Sequence, residues 1–384
     1  MRIALFTEVF LPKIDGVVTR LLRTLDEFTE AGHEALIFAP DFPPEQYGPH
    51  AVHKVWSWSF RPWYPEMKVG MPGLPAVTHL RSFRPDVVHA VNPIWLAAFG
   101  CMTANRLDMP LLASLHTDVA AYTKRLKLDW LHTPTKKWTK QMHGLAEVNL
   151  CTSGPMIELA ESHGMQHVDL WPKAVDTRAY HPDKATATMR ERLTDGHPDA
   201  PLLLYVGRLS KEKDLETLAP VLRRLNATRP IEDQVRLAFV GEGPNRADLE
   251  RTFRGTPTIC TGYLGGEDLA AAFASADVFV FPSTTETLGL VALESFASGV
   301  PVVGARAGGI PFVIDEGQTG HLVEPDDSDA WVQRISELLA DPERRRTMGT
   351  AARRESERHS WAKATESLIG FYELAIERHA ARTA

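Results

Sequence analysis

The sequence predicts an α/β protein with two doubly wound parallel-sheet domains, and three observations lead to that class. The chain has 384 residues, more than one ordinary domain of about 100–200 residues holds. Short, continuously apolar runs alternate with amphipathic stretches along the whole chain, as in parallel strands that helices cover on both faces. The alternation restarts after a polar, proline-containing stretch at 180–201, which is typical of a domain boundary.

The first series of elements predicts an N-terminal domain at residues 1–180. Its buried strands are expected at 2–7, 35–40, 86–91 and 110–116. The first strand is followed by an amphipathic helix over 17–32, which Gly32 closes.

The second series predicts another domain of similar size at 181–360. Its strands are expected at 201–209, 235–243, 257–264, 277–283 and 300–305. Residues 361–379 have the periodicity of an amphipathic helix. In such sheets ligands bind just beyond the carboxyl ends of the strands, so the functional residues are expected there, around a cleft between the two domains.

The composition excludes several classes of protein. Hydrophobic residues make up 44% and charged residues 24% of the chain, which is ordinary for a folded, soluble protein. No run approaches about 18 consecutive apolar residues, so no membrane-spanning helix is expected. The first residues lack a signal-peptide pattern. Cys101, Cys151 and Cys260 lie far apart without a CxxC pair, which argues against a disulfide framework or a zinc site. The expected compartment is the cytoplasm.

The net charge of −7 is unevenly spread. The first 180 residues contain 18 basic and 18 acidic side chains, and the remainder contains 24 basic and 31 acidic ones. This acidic balance disfavours a nucleic-acid partner.

Two glutamates, Glu286 and Glu294, stand eight positions apart in "TTETLGLVALE". On one continuous helix they would be about 12 Å apart. Glycosidases need their two carboxylates at about 5–5.5 Å or about 6.5–9.5 Å, so this spacing is a poor fit to an acid/base pair. A purely structural interpretation makes Glu286 an acid at a helix entry and Glu294 a partly solvated helix residue.

The residues around Glu286 favour a ligand-binding interpretation. They place a glycine, Gly289, near a predicted helix start, where backbone N–H groups are free to bind phosphate oxygens. The N–H groups in question belong to Thr287, Leu288, Gly289 and Leu290. Glu286 could then accept hydrogen bonds from sugar hydroxyls and Glu294 from a ribose. A phosphate between two polyol-binding acids describes a nucleotide-sugar.

Other candidate residues also follow predicted strands. Arg208 and Lys213 in "YVGRLSKEKDLETL" could neutralise a diphosphate, although a solvated basic turn capped by Asp214 is the structural alternative. His116 in "SLHTD" follows a first-domain strand, where a lone histidine is more often structural. Gly16, at a predicted helix start, allows a ligand to approach closely.

The sequence disfavours two other classes of site, a dinucleotide site and a DxD metal site. No GxGxxG pattern surrounds Gly16, which weakens a dinucleotide-oxidoreductase interpretation. The sequence "DSD" at 327–329 superficially matches a metal-binding DxD motif, but helix N-capping explains it better.

Together these motifs resemble the retaining glycosyltransferases of the GT-B type, family 4. The resemblance rests on E-x7-E at Glu286 and Glu294, on "SGVPVVGARAGGIP", and on "YVGRLSKEKDL", "FVGEGP", "GYLGGEDLAAAFASADVFVFPS" and "PKAVDTRAYHP". It covers essentially the whole chain. Within the family, "FTEVFLPKIDGVVTR", "HTDVAAY" and "WPKAVD" are most similar to glycolipid-forming members, the sulfoquinovosyl-diacylglycerol synthases and the GDP-mannose-dependent lipid mannosyltransferases.

The resemblance implies a GT-B fold, in which two Rossmann-like domains face an interdomain cleft, and a role for each matching position. It implies an acceptor-side N-terminal domain, a nucleotide-sugar-binding C-terminal domain and a last helix, 361–384, that crosses back to the first. His116 would lie beside the reacting sugar, and Glu286 would bind its hydroxyls. The implied donor-binding set is Gly16, Arg208, Lys213, Glu286, Thr287, Leu288, Gly289, Leu290 and Glu294. The nucleobase region would include Gly241, Gly243, Tyr263 and Leu264, without deciding between uracil and guanine.

The resemblance also implies how the reaction runs. Members of the family retain the anomeric configuration and need neither a metal nor a cofactor. The leaving diphosphate would assist deprotonation of the acceptor on the same face of the sugar.

The resemblance to glycolipid-forming members implies a lipid acceptor, and basic and aromatic residues of the first domain are compatible with one. Residues 54–68 are rich in tryptophan, and residues 122–143 carry Lys124, Lys136, Lys137 and Lys140 interleaved with Trp130 and Trp138. Such a mixture suits peripheral attachment to an anionic membrane face. An ordinary solvated helix that packs its tryptophans is the alternative.

The sequence therefore predicts a retaining hexosyltransferase that moves a sugar from a UDP-sugar or GDP-mannose to a hydroxyl acceptor, a glycerolipid or glycolipid. Three alternatives stay open: a soluble sugar or polyol acceptor, a nucleotide-sugar 2-epimerase of the same architecture, and a non-catalytic nucleotide-sugar sensor.

Overall fold

The computed structural model describes residues 1–13, 15–40, 42–60, 64–120, 123 and 128–383. The chain divides into two units, and each is built around its own parallel sheet. The first unit comprises Met1–Pro172 together with Trp361–Ala384, and the second comprises Lys173–Ser360. The sequence placed the first boundary slightly later, between residues 180 and 181.

The first unit contains an eight-stranded sheet in the order β10-β9-β8-β7-β1-β2-β4-β3. All of its pairings are parallel except that of β3 with β4. A separate antiparallel hairpin joins β5 to β6. The strands are β1 Arg2–Thr7, β2 Glu34–Pro40, β3 Gln46–Tyr47, β4 His50–Val55, β5 Ser57–Phe60, β6 Tyr64–Gly70, β7 Val87–Val91, β8 Leu111–Leu115, β9 Val148–Cys151 and β10 Val168–Leu170.

Helices cover this sheet because its central strands are apolar on both faces; every residue of β7 and of β8 is buried. The helices that precede the second unit are α1 Gly16–Glu30, α2 Leu74–Phe83, α3 Leu96–Arg106, α4 His132–His143 and α5 Gly154–Ser162. Helix α1 begins where Asp15 Oδ1 accepts hydrogen bonds from the N–H groups of Val17 and Val18, both at 3.0 Å.

The second unit contains a six-stranded parallel sheet in the order β13-β12-β11-β14-β15-β16. Its strands are β11 Leu202–Val206, β12 Arg236–Val240, β13 Thr258–Gly262, β14 Val278–Phe281, β15 Val302–Ala305 and β16 Gly320–Val323. Its helices are α6 Ala187–Leu193, α7 Leu218–Leu225, α8 Arg246–Thr252, α9 Gly266–Ala274, α10 Leu290–Ala297, α11 Ser328–Ala340 and α12 Pro342–Ser356. The predicted class, two doubly wound parallel-sheet domains, is therefore confirmed.

The last helix, α13 Trp361–Thr383, returns to the first unit. Its buried residues Leu368, Tyr372 and Ala375 join the same apolar core as α1 and β1. Near its end, His379 Nδ1 lies 3.1 Å from Oε1 of the buried Glu147, whose other carboxylate oxygen accepts from the N–H of Leu111 at 2.9 Å. Apolar packing and a buried carboxylate thus hold α13 to the sheet.

None of the helices in the described part of the chain is both long and apolar enough to cross a membrane.

Candidate active site

The predicted donor-binding residues of the second unit gather at one edge of its sheet. Strands β12, β11 and β14 are parallel neighbours, so their carboxyl ends meet there. The strand order changes direction between β11 and β14, and such a switch point is where doubly wound sheets bind ligands. Arg208 follows β11, Gly241 follows β12 and Glu286 follows β14.

Lys213 and Glu286 form an ion pair between the loops that follow β11 and β14. Both side chains are largely shielded, with exposed fractions of 19% and 17%. Asp214 reinforces the junction, because its Oδ2 accepts from the Thr284 hydroxyl at 2.6 Å and from the Thr284 N–H at 3.1 Å. The expected alternative, a solvated basic turn, fits the exposed Lys211 but not Lys213.

Helix α10 begins at Leu290, and Gly289 is its N-cap with φ of +78°. That left-handed conformation, with the Phe281 ring 2.9 Å from where a Cβ would stand, accounts for glycine here. Within the described residues, no acceptor receives the N–H groups of Thr287, Leu288, Gly289 and Leu290. The chain before α10 therefore presents consecutive free donors, which the positive end of the helix dipole reinforces.

One premise about the two glutamates was wrong. Glu294 lies in α10, half-buried, but Glu286 lies in the loop before the helix begins. The expected separation of about 12 Å assumed one continuous helix and does not describe them. What argues against an acid/base pair is instead the engagement of Glu286 with Lys213.

Gly308 and Gly309, which were not among the predicted site residues, pack against the backbone of Glu286 and Thr287. The Gly309 N–H donates to the carbonyl oxygen of Glu286 at 2.6 Å. A Cβ on Gly308 would stand 2.4 Å from that same oxygen, and a Cβ on Gly309 would stand 2.2 Å from the carbonyl oxygen of Thr287. The double glycine in "ARAGGIP" was the available signal, because backbone can only approach backbone so closely where side chains are absent.

The predicted nucleobase residues divide into two kinds. A Cβ on Gly241 would stand 2.0 Å from the Gly207 carbonyl oxygen, and one on Gly243 would stand 2.2 Å from that of Leu209. Both glycines therefore let the loops after β11 and β12 pack against each other. Tyr263 is 61% exposed and Leu264 is 6% exposed, so of these four residues Tyr263 offers the most side-chain surface to a ligand.

In the first unit, His116 directly follows β8 and is buried. Its Nε2 lies 2.9 Å from Ser114 Oγ, and its ring meets the Trp171 ring edge-on at 5.4 Å. Burial lowers the pKa of His116 well below its usual value, and the charge of Arg20 lowers it further, so the ring is neutral at pH 7. Gly16, the other predicted residue of this unit, is the exposed first residue of α1.

Arg20 is a neighbour of His116 that the sequence analysis missed. It is 1% exposed, its guanidinium lies 4.6 Å above the Trp171 ring, and its Nη1 donates to the Trp171 carbonyl oxygen at 3.4 Å. Burial lowers its pKa to about 9. No local pattern in α1 marks Arg20 as special, because Trp171, which covers its guanidinium, lies 151 positions away in the chain.

The predicted acceptor lysines lie on α4, apart from Lys124, which falls outside the described residues. Lys136 is half-buried, and Lys137 and Lys140 are exposed. Nearby, the Trp138 indole donates to the Ile94 carbonyl oxygen at 2.8 Å. Trp95, Trp130 and Trp138 are 47%, 73% and 37% exposed. Exposed tryptophans do not match the alternative of a helix that packs them into a core.

Potential metal ligands do not cluster in the part of the chain that the structure describes: no group of three or more histidine, cysteine, aspartate or glutamate side chains is arranged to hold an ion.

Comparison with known proteins places the chain in a family. The family model described as "Glycosyltransferase Family 4" matches residues 14–179, and the model described as "Glycosyl transferases group 1" matches residues 200–341. The chain is 37% identical to the sulfoquinovosyl transferase SQD2 of Arabidopsis thaliana, over 96% of this chain and 72% of that protein. It is 34% identical to a GDP-mannose-dependent alpha-mannosyltransferase of Mycolicibacterium smegmatis, over the full length of both.

The fold agrees with this relationship. Sucrose-phosphate synthase from Thermosynechococcus elongatus superimposes with a TM-score of 0.80 at 22% identity, over 97% of this chain and 98% of that one. The chain thus has the GT-B fold, belongs to glycosyltransferase family 4, and is a hexosyltransferase.

Proposed function

We propose that the protein transfers a hexose, with retention of anomeric configuration, from a nucleotide-diphosphate sugar to a hydroxyl of a glycerolipid or glycolipid. The observation that carries the donor part is the Lys213–Glu286 ion pair beside the free N–H groups that precede α10. A lysine, a carboxylate and a row of backbone donors together match the phosphate and the hydroxyls of one donor molecule.

The second unit would bind the donor through charge and hydrogen bonds. Arg208 and Lys213 would face the diphosphate, which gains negative charge as the glycosidic bond breaks, and the N–H groups at 287–290 would bind its oxygens. Glu286 would accept from hydroxyls of the transferred sugar and Glu294 from the ribose. Because fixed cations and N–H groups supply the charge stabilisation, we expect transfer to continue when divalent metals are chelated.

Retention is proposed on chemical grounds. Glu286 is already paired with Lys213, which leaves it poorly suited to attack the sugar as a nucleophile. The departing phosphate oxygen can instead take the proton of the acceptor hydroxyl on the face from which it leaves. The new bond then forms on that same face, and the configuration is kept.

The donor site is tested by single substitutions. Glu286→Ala and Lys213→Ala should each lower kcat/KM by at least about 10²-fold, because a partly shielded charge loses its partner and a substrate contact is removed. Lys211→Ala, two positions away on an exposed side chain, is the matched control and should stay within about twofold. Release of nucleoside diphosphate on addition of acceptor is the measurement, with circular dichroism to check folding. Near-normal turnover in either variant would refute the assignment.

The lipid acceptor is proposed from the exposed tryptophans Trp95, Trp130 and Trp138 and the lysines of α4. Indole rings insert at the headgroup level, and each basic residue near an anionic surface contributes about 1 kcal/mol. The sulfoquinovosyl and GDP-mannose-dependent names of the two relatives leave the donor base and the sugar open.

Membrane attachment is tested by co-sedimentation with vesicles that contain anionic phospholipid. Replacing Lys136, Lys137 and Lys140 by glutamine should reduce the bound fraction about tenfold or more. A control with the same charge change at Lys184, Lys211 and Lys363 should bind normally. Equal binding of the two triple variants, or full activity on a soluble polyol without lipid, would contradict the lipid proposal and favour a soluble acceptor.

A further inference from the structure

We infer that Tyr372 and His89 are positioning residues that, through Ser114, fix the tautomer of His116 with its proton on Nδ1. The four side chains form one buried chain of hydrogen bonds. Tyr372 Oη lies 2.7 Å from His89 Nδ1, His89 Nε2 lies 2.9 Å from Ser114 Oγ, and Ser114 Oγ lies 2.9 Å from His116 Nε2. We call this chain the tyrosine relay.

Counting protons gives the relay a direction. Three hydrogen bonds need three donors, and a neutral histidine supplies one N–H. If Tyr372 donates to His89 Nδ1, then His89 donates from Nε2 to Ser114, and Ser114 donates to Nε2 of His116. All three bonds are made, and the remaining proton of His116 sits on Nδ1.

The opposite direction would leave one buried group unpaired. His116 would donate from Nε2 to Ser114, Ser114 to His89, and His89 from Nδ1 to the oxygen of Tyr372. The Tyr372 proton would then have no acceptor among the described residues, although Tyr372 is 0% exposed. The first direction also leaves one N–H without a protein partner, that of His116 Nδ1, but this atom is not among the fully buried polar atoms that lack a partner. An unpaired hydroxyl on the fully buried Tyr372 is the more costly defect, so the phenol at the end of the relay selects the first direction.

Burial keeps the side chains of the relay neutral, and contacts between aromatic rings fix their positions. Burial lowers the pKa of His89 to about 3 and raises that of Tyr372 above its usual value, so neither ionises near pH 7. The rings of His89 and Tyr372 meet at 5.6 Å, and Phe28 lies 6.3 Å from Tyr372. Arg20 is the charged group that acts on His116, and it disfavours protonation of that ring.

The tautomer determines which ring nitrogen of His116 can act on a substrate. Its Nε2 accepts from Ser114, so it cannot serve as a base through that atom. Its Nδ1–H has no partner among the described residues and can donate to a hydroxyl or phosphate oxygen of a substrate. The catalytic part of this inference rests on the proposed function, whereas the tautomer does not.

The tautomer is tested by NMR of the full chain with ¹⁵N-labelled histidine at pH 7.5, where Nδ1 and Nε2 differ clearly in shift when protonated or bare. Signals are assigned with His89→Gln and His116→Gln variants. We expect the proton on Nε2 in His89 and on Nδ1 in His116. Tyr372→Phe should mix the tautomers of both rings, and Ser114→Ala should mix that of His116. Tyr47→Phe, which removes a hydrogen bond to Asp26 in the same unit, should change neither.

The inference is overturned if His116 carries its proton on Nε2 in the unaltered protein, or if a folded Tyr372→Phe variant leaves both tautomers unchanged. In turnover, Tyr372→Phe should lower kcat about tenfold with the donor KM within about twofold, and Tyr47→Phe should change neither. Unchanged kcat with mixed tautomers would refute the role of the relay in catalysis. Failure of the unaltered protein to transfer sugar, with the expected tautomers present, would count against the proposed function alone.

Discussion

Gly309 allows a steric test of the donor loop, because its backbone does not itself require glycine. Its φ of −84° and ψ of −5° are ordinary for alanine. A Cβ would nevertheless stand 2.2 Å from the Thr287 carbonyl oxygen, 2.5 Å from its carbonyl carbon and 2.9 Å from the Leu288 nitrogen. All three are backbone atoms, so no side chain can rotate away. Gly309→Ala must therefore move the chain that carries Thr287.

The size of the effect follows from that geometry. Non-bonded carbon atoms prefer about 3.5–4.0 Å, so the loop must shift by about 1 Å. The same loop carries Glu286, whose carbonyl oxygen Gly309 holds at 2.6 Å. Misplacement of a substrate-binding group by about 1 Å can cost about 10²-fold in rate, and overpacking costs about 1–3 kcal/mol of stability. We expect Gly309→Ala to lower kcat/KM about 100-fold and the free energy of unfolding by about 2 kcal/mol.

The assay is acceptor-dependent release of nucleoside diphosphate, with denaturant unfolding measured in parallel. Gly370→Ala is the control: Gly370 lies within α13, and nothing stands within 4 Å of its missing Cβ. It should keep full activity and gain up to about 1 kcal/mol from helix propensity. A Gly309→Ala enzyme within threefold of normal kcat/KM would refute the argument that this contact positions the donor loop.

Two further predictions concern stability. Asp277 pairs with Arg190 at 2.8 Å and with Arg345 at 3.2 Å. Asp277→Ala leaves two shielded guanidinium groups with backbone acceptors but without a carboxylate, and it should lower the free energy of unfolding of the second unit by about 3 kcal/mol. Unchanged denaturation, followed by tryptophan fluorescence, would contradict this. Burial lowers the pKa of His89 to about 3 and that of His143 to about 4, from 6.5. Because the unfolded chain then binds protons that the folded chain does not, the stability of the first unit should be full above about pH 6.5 and should fall by about 1.4 kcal/mol per pH unit per histidine as the pH drops towards those values. A flat profile of unfolding free energy between pH 7 and pH 5 would refute this.

Most of the strands that the sequence predicted are continuously buried, although the predicted β13 is mostly half-buried and the short buried strands β9 and β16 were missed. Every residue of β7, β8, β11 and β12 is buried, and a run of apolar letters records that directly. The edge strand β10 has three residues, all half-buried, and it left no such run. The β5–β6 hairpin was missed for a related reason: it stands outside the main sheet, and its tryptophans suggested a membrane surface instead of strands.

The site was predictable as a set of residues but not as a set of contacts. Glycines, cations and glutamates after strands indicated the donor loops, because parallel strands end together. That Lys213 would pair with Glu286 depends on how far each loop reaches beyond its strand, which no local pattern records. Arg20 and Tyr372 are harder still, because their partners lie 151 and 283 positions away in the chain and each reads locally as an ordinary helix residue.

The division of the chain also fixes the order in which the molecule can be completed during synthesis. The second unit is one continuous segment, Lys173–Ser360, whereas the first needs both Met1–Pro172 and Trp361–Ala384. A ribosome therefore releases everything the second unit needs before it releases α13. Until then the first sheet lacks the helix whose Leu368 and Tyr372 pack into its core, and His89 Nδ1 lacks its partner Tyr372. The unit that begins first is finished last, and a chain cut short before residue 361 would have a complete donor loop but an incomplete first core.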